Sequence, residues 1–543
     1  MEGQLTKSWR NCFQSESFFL LFVQPHHLDL IRLKETRHKH LECVKENCED
    51  EENEKIAESY LSFLETFSGE FERSLTSCDV YSLYFGLFIG ISSSLPFLLF
   101  LNSTPSSLIQ TLLCKSFWIF HFFLSLFLFS AHFLSCLLIN SSSLCVTTNH
   151  SKVIYSIVSS SLWISLFFHK FETVSIKNTL MQIGTFETAS ILLSMISFFS
   201  SSLVEEEHIL THFLCFTFFF LMIVREWCSS NSSAHKMIVT RNCLGIVVCG
   251  RVLRGWNSSG DKWSSAFDTA DWLSENKLFS EFAFVVTLFS LVFLFVRKNR
   301  KNIFSLLLFG VSIFLIFLFK LELSNMDLNL VAQIAYLSIF VGLISYSLNG
   351  KVSALPLVTL WLLLIHRQQN SMAILLMFLQ IELYLKLSKL TKLTILPSII
   401  HMDMMGKAAF FSLGNSNSLA TIDFNSSYTA TRGLSPSFLA LSTFFCLYSA
   451  PILFFVGFLE YLSFSIQSLK KQGTSQNLVM EATSFSTFLR LLSLTFFSFT
   501  VIMMREHLFI WTVFSPKYLY EISASVFLLL KILILIIFSI FNY

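Results

Sequence analysis

The sequence predicts an all-α fold, a polytopic transmembrane helical bundle of about 12–15 spans preceded by a short polar, partly helical N-terminal segment. The first observation behind this prediction is composition. Hydrophobic residues make up 53% of the chain and charged residues 14%, whereas a soluble chain carries about a quarter charged residues. The second observation is that apolar blocks begin at Tyr81, each near the length of about 20 residues that crosses a bilayer.

The candidate spans differ in strength. The stronger candidates are 81–101, 116–139, 187–203, 209–224, 278–296, 303–319, 328–348, 437–463, 484–504 and 518–541. The weaker ones are shorter or more polar, namely 153–168, 237–253, 354–366, 371–386 and 394–412. Because proline removes a backbone donor and clashes with the preceding turn, Pro451 is predicted to kink or break the helix over 437–463.

Residues 1–80 form a polar segment that differs from the membrane domain predicted over 81–543. The segment holds charge runs such as Cys43–Lys55 and no span. Apolar side chains recur there at steps of three and four, which is the period of one helix face. They are Ile56, Tyr60, Leu64, Phe67, Phe71 and Leu75. We therefore predict an amphipathic helix over about 54–76 that packs against the membrane domain.

Positive charge sets the expected orientation, because cytoplasmic loops carry an excess of Lys and Arg. The densest cluster is RKNRK, Arg297–Lys301, which places this loop in the cytosol. If every candidate spans, the segment 1–80 is lumenal, and so are the loops at 140–152, 204–208, 254–277 and 413–436.

Several functional classes find no support in the sequence. The net charge of +2 does not indicate nucleic-acid binding, which needs a clustered basic face. The twelve cysteines form no CxxC pair and no Cys/His cluster at zinc spacing. No hydrolase, kinase, dehydrogenase or metalloprotease motif occurs. The chemistry of the residues alone favours a transporter or a lipid-handling membrane domain.

The first of three polar motifs is SSSLVEEEH, Ser200–His208, at a short turn between two strong spans. Consecutive carboxylates at a membrane edge are costly unless they are solvated, paired or metal-bound. The motif is therefore either a solvated turn or a site facing a lipid head group or another domain. Its candidate residues are Glu205, Glu206, Glu207 and His208. No second ligand pair at suitable spacing accompanies them, so no metal site is predicted.

The second motif is RVLRGWNSSGDKWSSAFDTADWL, Arg251–Leu273. Its Trp residues suit an aromatic belt at the bilayer interface. Its mixture of Arg, Lys and Trp equally suits a surface for lipid phosphates and sugars. The candidate residues are Arg254, Trp256, Asn257 and Lys262.

The third motif lies in a polar run, Phe411–Ser437, between two hydrophobic blocks. Its amides and hydroxyls can bond sugar hydroxyls or free helix ends. Asn415 and Asn417 are its candidate residues. A contact with a substrate head group and a structural seam remain equal alternatives.

These motifs together resemble a known family. SSSLVEEEH, LRGWNSSGDKW followed by DWL, and GNSNSLATID occur in this order in the membrane portion of GPI ethanolamine phosphate transferases. The third motif, with the tail Leu489–Glu521, is most similar to the second of the three transferases in this family. The resemblance runs from about Ile56 to the C-terminus.

The resemblance implies a multi-pass endoplasmic reticulum protein of GPI-anchor biosynthesis. Such an enzyme transfers phosphoethanolamine from phosphatidylethanolamine to the second mannose of a GPI precursor, with a small stabilising subunit, PIG-F. The family carries a lumenal alkaline-phosphatase-like domain before the membrane region. There a Thr nucleophile and Asp/His-bound divalent metals, usually zinc, perform the chemistry. Residues 1–80 hold no counterpart of those groups, so we expect no catalytic residue, metal or cofactor site in this chain.

Two alternatives remain from other classes. A polytopic lipid or solute transporter would carry charged residues at mid-span, for which Glu382, Asp403 and Glu460 are the acidic candidates. A non-catalytic regulatory fragment would compete for PIG-F without restoring activity.

Overall fold

The structure is a computed structural model that describes the chain in separate stretches. They are residues 58, 61, 84, 86–94, 115–138, 150–173, 184–199, 207–230, 232–257, 267–299, 303–322, 327–349, 354–416, 422–429, 436–470, 478–504 and 515–542. Within these stretches the chain is almost entirely helical and contains no strand.

Helices follow one another through short connections. Their bounds are α1 Lys115–Leu138, α2 His150–Thr173, α3 Thr185–Ile196, α4 Glu207–Ser229, α5 Ser233–Arg254, α6 Thr269–Glu275, α7 Lys277–Asn299, α8 Ile303–Lys320, α9 Leu328–Asn349, α10 Leu355–Ile365, α11 Ser371–Thr391, α12 Ile395–Ser412, α13 Phe424–Ser427, α14 Pro436–Leu447, α15 Ser449–Lys470, α16 Leu478–Met503 and α17 Ser515–Asn542. Short 3₁₀ turns at Ser197–Phe199 and Gln368–Asn370 follow α3 and precede α11.

The chain divides into two compact units. One comprises Tyr81–Ile502 with Thr512–Tyr543 and holds these helices apart from the last residue of α16. The other comprises Met1–Val80 with Met503–Trp511. In its first part only Glu58 and Leu61 are described, both helical and exposed. The amphipathic helix predicted over 54–76 otherwise lies outside the described residues and stays a prediction.

Seven described helical segments are long and apolar enough to cross a bilayer. They are Glu207–Ser229, Lys277–Arg297, Leu328–Ser345, Gln368–Thr391, Ser449–Ser468, Leu478–Met503 and Lys517–Phe538. Shorter apolar helices lie beside them, including Leu306–Lys320 and Leu355–Ile365. This confirms the predicted polytopic helical bundle, whereas the figure of 12–15 spans stays a prediction.

The centre of the bundle is formed by α10, α11 and α12. Nearly every residue of α10 is buried, because it is apolar on all sides and packs against α8, α9, α11 and α15. α12 packs most extensively against α15 and also contacts α3, α4 and α5. The helices around this centre expose large apolar side chains such as Phe289 and Phe340, as expected of surfaces that face lipid.

The predicted break near Pro451 occurs three residues earlier. The span 437–463 divides into α14 and α15 at Tyr448, and Pro451 lies in the first turn of α15. Proline is tolerated there, because the first helical N–H groups have no intrahelical acceptor. The amide of Tyr448 still donates to Phe444 O at 3.0 Å, so the two helices continue into each other without a loop.

Alternating helix direction brings helix ends that carry polar residues together at one end of the bundle. We call this the polar end. The starts of four helices lie there, namely α4, α11, α15 and α17. The ends of four others lie beside them, namely α5, α8, α10 and α12. Asn257, after α5, donates to Ser412 O at the end of α12, at 2.6 Å. Lys517 at the start of α17 pairs with Glu207 at the start of α4, at 3.3 Å.

The opposite end carries much of the positive charge. Thr394, before α12, donates to Glu187 Oε1 in the first turn of α3 at 3.1 Å, which brings these helix starts together. Basic residues cluster at this end in the last turns or first turns of their helices. They are Arg225, Lys236, Arg297, Lys386, Lys389 and Lys392.

Candidate functional site

The three polar motifs meet at the polar end. Of the ten predicted residues, the structure describes Glu207, His208, Arg254, Trp256, Asn257 and Asn415. Glu205, Glu206, Lys262 and Asn417 lie outside the described residues. The described six belong to the start of α4, the end of α5 and the end of α12, which pack on one another. Their proximity is a finding, and their role as a binding site stays a prediction.

Ser412 in the last turn of α12 connects the motifs. Its carbonyl accepts from Asn257 Nδ2 at 2.6 Å, and its hydroxyl lies 3.5 Å from His212 Nε2 on α4. Asn415 Nδ2 donates to Phe410 O at 3.2 Å. The last carbonyls of a helix have no intrahelical donor. Asn257 and His212 therefore hold the end of α12 against α5 and α4, and Asn415 supplies a donor to a carbonyl of α12 itself.

Glu207 and His208 begin α4 but face different partners. Glu207 pairs with Lys517 of α17. His208 is buried, and its ring lies 6.3 Å from that of Phe411 on α12. The EEEH motif is therefore more than a solvated turn at its last two positions, because both side chains hold neighbouring helices.

Trp256 packs in the core, with 5% of its surface exposed. Its ring face is therefore not available to a bilayer interface or a stacked sugar. Its indole N–H has no acceptor among the described residues. A role for Trp256 in binding would thus depend on this N–H group. Trp272 is 38% exposed, so the interfacial position that the motif suggests for its tryptophans stays a prediction for this residue.

A second group of unsatisfied polar atoms lies at the start of α11. Gln368 Nε2, Asn370 Oδ1 and Ser371 Oγ are buried and have no hydrogen-bond partner in the described part of the chain. The 3₁₀ turn Gln368–Asn370 packs on α6. The amide of Ala270 in α6 in turn donates to Trp256 O. Buried polar groups normally find a partner, so these donors and acceptors suit a ligand or ordered water.

The segment after the third motif is fastened to the polar end by Asp423. Arg367 Nη2 donates to Asp423 Oδ1 at 3.0 Å, and Ser426 donates to Asp423 Oδ2 at 2.8 Å. Burial raises the pKa of the Asp423 carboxyl, but the bonds from Ser426 and Arg367 and the Arg367 charge outweigh it and hold the pKa below its usual value. Asp423 also caps α13 by accepting from the Asn425 amide.

This lowered pKa gives a pH prediction. A depressed carboxyl pKa stabilises the folded state above the unfolded value of about 3.9, and that stability is lost as the pH falls through the folded pKa. Because Arg367 is half exposed, the contribution is at most about 1 kcal/mol. We expect Asp423→Asn, which keeps the cap, to reduce hydrogen-exchange protection of 424–429 at pH 6. After correction for intrinsic rates, the two proteins should match near pH 2. A difference that persisted unchanged there would contradict the prediction.

The structure also reveals a charged crevice that the sequence did not predict as a site. It lies within the bundle and is lined by Asp403 and Lys407 of α12, Arg490 of α16 and Lys531 of α17, with Glu521 paired to Arg490. Lys531 lies 2.9 Å from Asp403, and Arg490 lies 2.7 Å from Glu521. Of the three acidic mid-span candidates, only Asp403 lines this crevice. Glu460 instead accepts from the Leu355 amide at the start of α10.

Among the described residues, no group of three or more His, Cys, Asp or Glu side chains is placed to hold a metal ion.

Comparison with known proteins decides the family. Residues 148–348 and 326–542 match the family described as GPI ethanolamine phosphate transferase membrane region. The chain belongs to this GPI ethanolamine phosphate transferase family. The confirmed resemblance thus extends over most of the predicted membrane domain.

Individual relatives agree with the family assignment. GPI ethanolamine phosphate transferase 2 of Schizosaccharomyces pombe is 28% identical over 353 residues, covering 63% of this chain and 41% of that protein. The Yarrowia lipolytica protein of the same name is 24% identical over 430 residues, covering 65% and 48%. The human GPI ethanolamine phosphate transferase 2, catalytic subunit, is 34% identical over 120 residues, covering 21% and 11%. The matched part is thus less than half of each relative. No solved structure matches the chain.

Proposed function

We propose that this chain is the membrane region of a GPI ethanolamine phosphate transferase acting on the second mannose of GPI precursors. The names of its relatives support transfer of ethanolamine phosphate to GPI, and the resemblance adds phosphatidylethanolamine as the donor and the second mannose as the acceptor. The observation that carries the proposal is the convergence of the three family motifs at the polar end, through Asn257, Ser412 and His212. The polar end would receive the head groups of both lipid substrates.

The proposed location is the endoplasmic reticulum membrane, with the polar end in the lumen. The basic residues at the opposite end support this orientation, because Lys and Arg favour the cytosolic side. The chemistry of transfer, with its zinc and Thr nucleophile, is assigned to an alkaline-phosphatase-like domain of the family and to no residue of this chain. PIG-F is proposed as the stabilising partner.

Lipids that copurify with the chain test this proposal. The full chain should enrich phosphatidylethanolamine and mannosylated GPI precursors, measured by mass spectrometry, over another multispanning protein of the same membrane. Asn257→Ala should reduce GPI precursor recovery severalfold, because it frees the end of α12. Asn242→Ala is the matched control, because Asn242 is a buried asparagine of α5 about 18 Å along the helix axis from Arg254 at its end. Absence of GPI precursor enrichment in the unmodified chain would refute the proposal.

A lipid-moving protein without transfer chemistry is the second candidate. The charged crevice favours it, since a transporter needs charged groups inside its spans. Reconstitution into vesicles with fluorescent phosphatidylethanolamine distinguishes the two. Movement of the lipid between leaflets at rates above protein-free vesicles would support the second candidate.

A further inference from the structure

We propose that the charged crevice binds the monoanionic phosphodiester of a membrane phospholipid, with Lys407 as the cation that recognises it. The inference goes beyond the transfer reaction and does not depend on it. α12 separates the crevice from the contacts that join the family motifs, because Asp403 and Lys407 lie on one face and His401 and Ser412 lie on another.

The charge of the crevice is unbalanced. Arg490 and Lys531 each have a carboxylate, Glu521 and Asp403, at hydrogen-bond distance. Lys407 pairs with neither of them and with no other carboxylate of the described residues. Three cations against two carboxylates leave a formal net charge of +1. A phosphodiester carries one negative charge and would balance it.

Lys407 lies within electrostatic range of both ion pairs. Its charge acts on both Asp403 and Glu521, while its ammonium lies 5.7 Å from the centre of the Phe198 ring. An unpaired cation inside a membrane domain is unfavourable. An anion between Lys407 and Arg490 would offset that cost through charge-assisted hydrogen bonds.

Depth and access suit a lipid head group. Lys407 lies five residues before the end of α12, about 8 Å along the helix axis from the polar end. The crevice has a volume of about 30 Å³, and the Asp403 side chain at its edge is 31% exposed, so it reaches the surface of the bundle. Lysine stems readily extend their ammonium toward the phosphate level of a bilayer. The phosphate of a head group would thus meet Lys407 at the mouth of the crevice.

Serine hydroxyl groups that line the crevice can form directed hydrogen bonds. Ser486 and Ser493 of α16 line the crevice beside Arg490. Ser493 donates to Glu521 at 2.9 Å and so completes the ion pair on that side. Ser486 leaves a hydroxyl for a phosphate oxygen.

Native mass spectrometry of the full chain tests the inference with phosphatidylglycerol as the probe. Diacylglycerol of the same acyl composition is the neutral comparison, and inorganic phosphate is the comparison for a free ion. We expect one tightly retained phosphatidylglycerol, and at least about tenfold weaker binding in Lys407→Gln, the effect of losing a hydrogen bond to a charged group. Lys407→Arg should retain the lipid. Lys389→Gln is the matched control, since Lys389 also lies over a ring, 4.6 Å from that of Phe464, but outside the crevice.

Equal binding by Lys407→Gln and the unmodified chain would overturn the inference. Protection by inorganic phosphate without retention of phosphatidylglycerol would overturn the assignment to a lipid. Amine labelling of the unmodified chain provides a readout that needs no variant. Phosphatidylglycerol should protect Lys407 and leave Lys389 reactive, and equal labelling of Lys407 with phosphatidylglycerol and with diacylglycerol would contradict the proposal.

Discussion

Arg490→Met should destabilise the bundle by about 3–5 kcal/mol, the cost of leaving the partner of a buried ion pair alone. Arg490 and Glu521 are 13% and 14% exposed and lie 2.7 Å apart. The substitution removes the paired cation and leaves Glu521 the hydroxyl of Ser493 and the more distant charge of Lys407. Unfolding in mixed detergent micelles, followed by circular dichroism, measures the loss.

Two further variants separate the charge from the packing. Replacing both partners, Arg490→Met with Glu521→Gln, should recover most of the loss, because the glutamine leaves no carboxylate without its ion-pair partner at this position. Lys277→Met removes one partner of an exposed pair, Lys277–Glu281 at 3.9 Å, and should change stability by less than about 0.5 kcal/mol. A single Arg490 variant as stable as the Lys277 variant would show that the buried pair contributes nothing.

Gly457→Leu should destabilise the bundle by about 1–3 kcal/mol or more, because α15 and α11 touch at this position. A Cβ atom at Gly457 would lie 2.5 Å from Ile381 Cγ2. That methyl group belongs to a β-branched side chain, which has few alternative rotamers in a helix. The two helices must therefore separate, and the unfolding free energy should fall.

Gly310→Leu gives the matched control. Gly310 lies within α8, and nothing lies within 4 Å of its added Cβ. Leucine has a higher helix propensity than glycine, so this variant should gain up to about 1 kcal/mol. Adding Ile381→Ala to Gly457→Leu should restore part of the loss. If both glycine variants were equally stable, close packing at Gly457 would not be the cause.

Most helices could be predicted from hydropathy alone, since each crossing needs a run of apolar residues regardless of its neighbours. The break between α14 and α15 lies at Tyr448, three residues before the predicted position, because Pro451 fits the first turn of a helix. The weak candidates over 371–386 and 394–412 proved central to the packing. Polar residues such as Gln380, His401 and Asp403 lower the hydropathy of the sequence, and in the structure these three side chains contact other helices.

From the sequence, the motifs of Asn257 and Ser412 could be predicted only to lie on the same side of the membrane. Which atoms touch depends on how α5 and α12 pack, and no local pattern encodes that. The charged crevice is indicated in the sequence only by the spacing of charged residues in one apolar span. Lys517, Glu521 and Lys531 recur on one face of α17, and this spacing within an apolar span could have drawn attention to it.

The central position of α12 has a consequence for biogenesis. Its hydropathy does not reach that of the seven strongest segments, and it carries Asp403 and Lys407 within its length. A helix of this kind enters the hydrocarbon unfavourably by itself. Its Asp403 pairs with Lys531 of α17, which is synthesised 128 residues later. We therefore expect stable integration of α12 to wait for synthesis of α17, so that the centre of the bundle is completed after the helices around it.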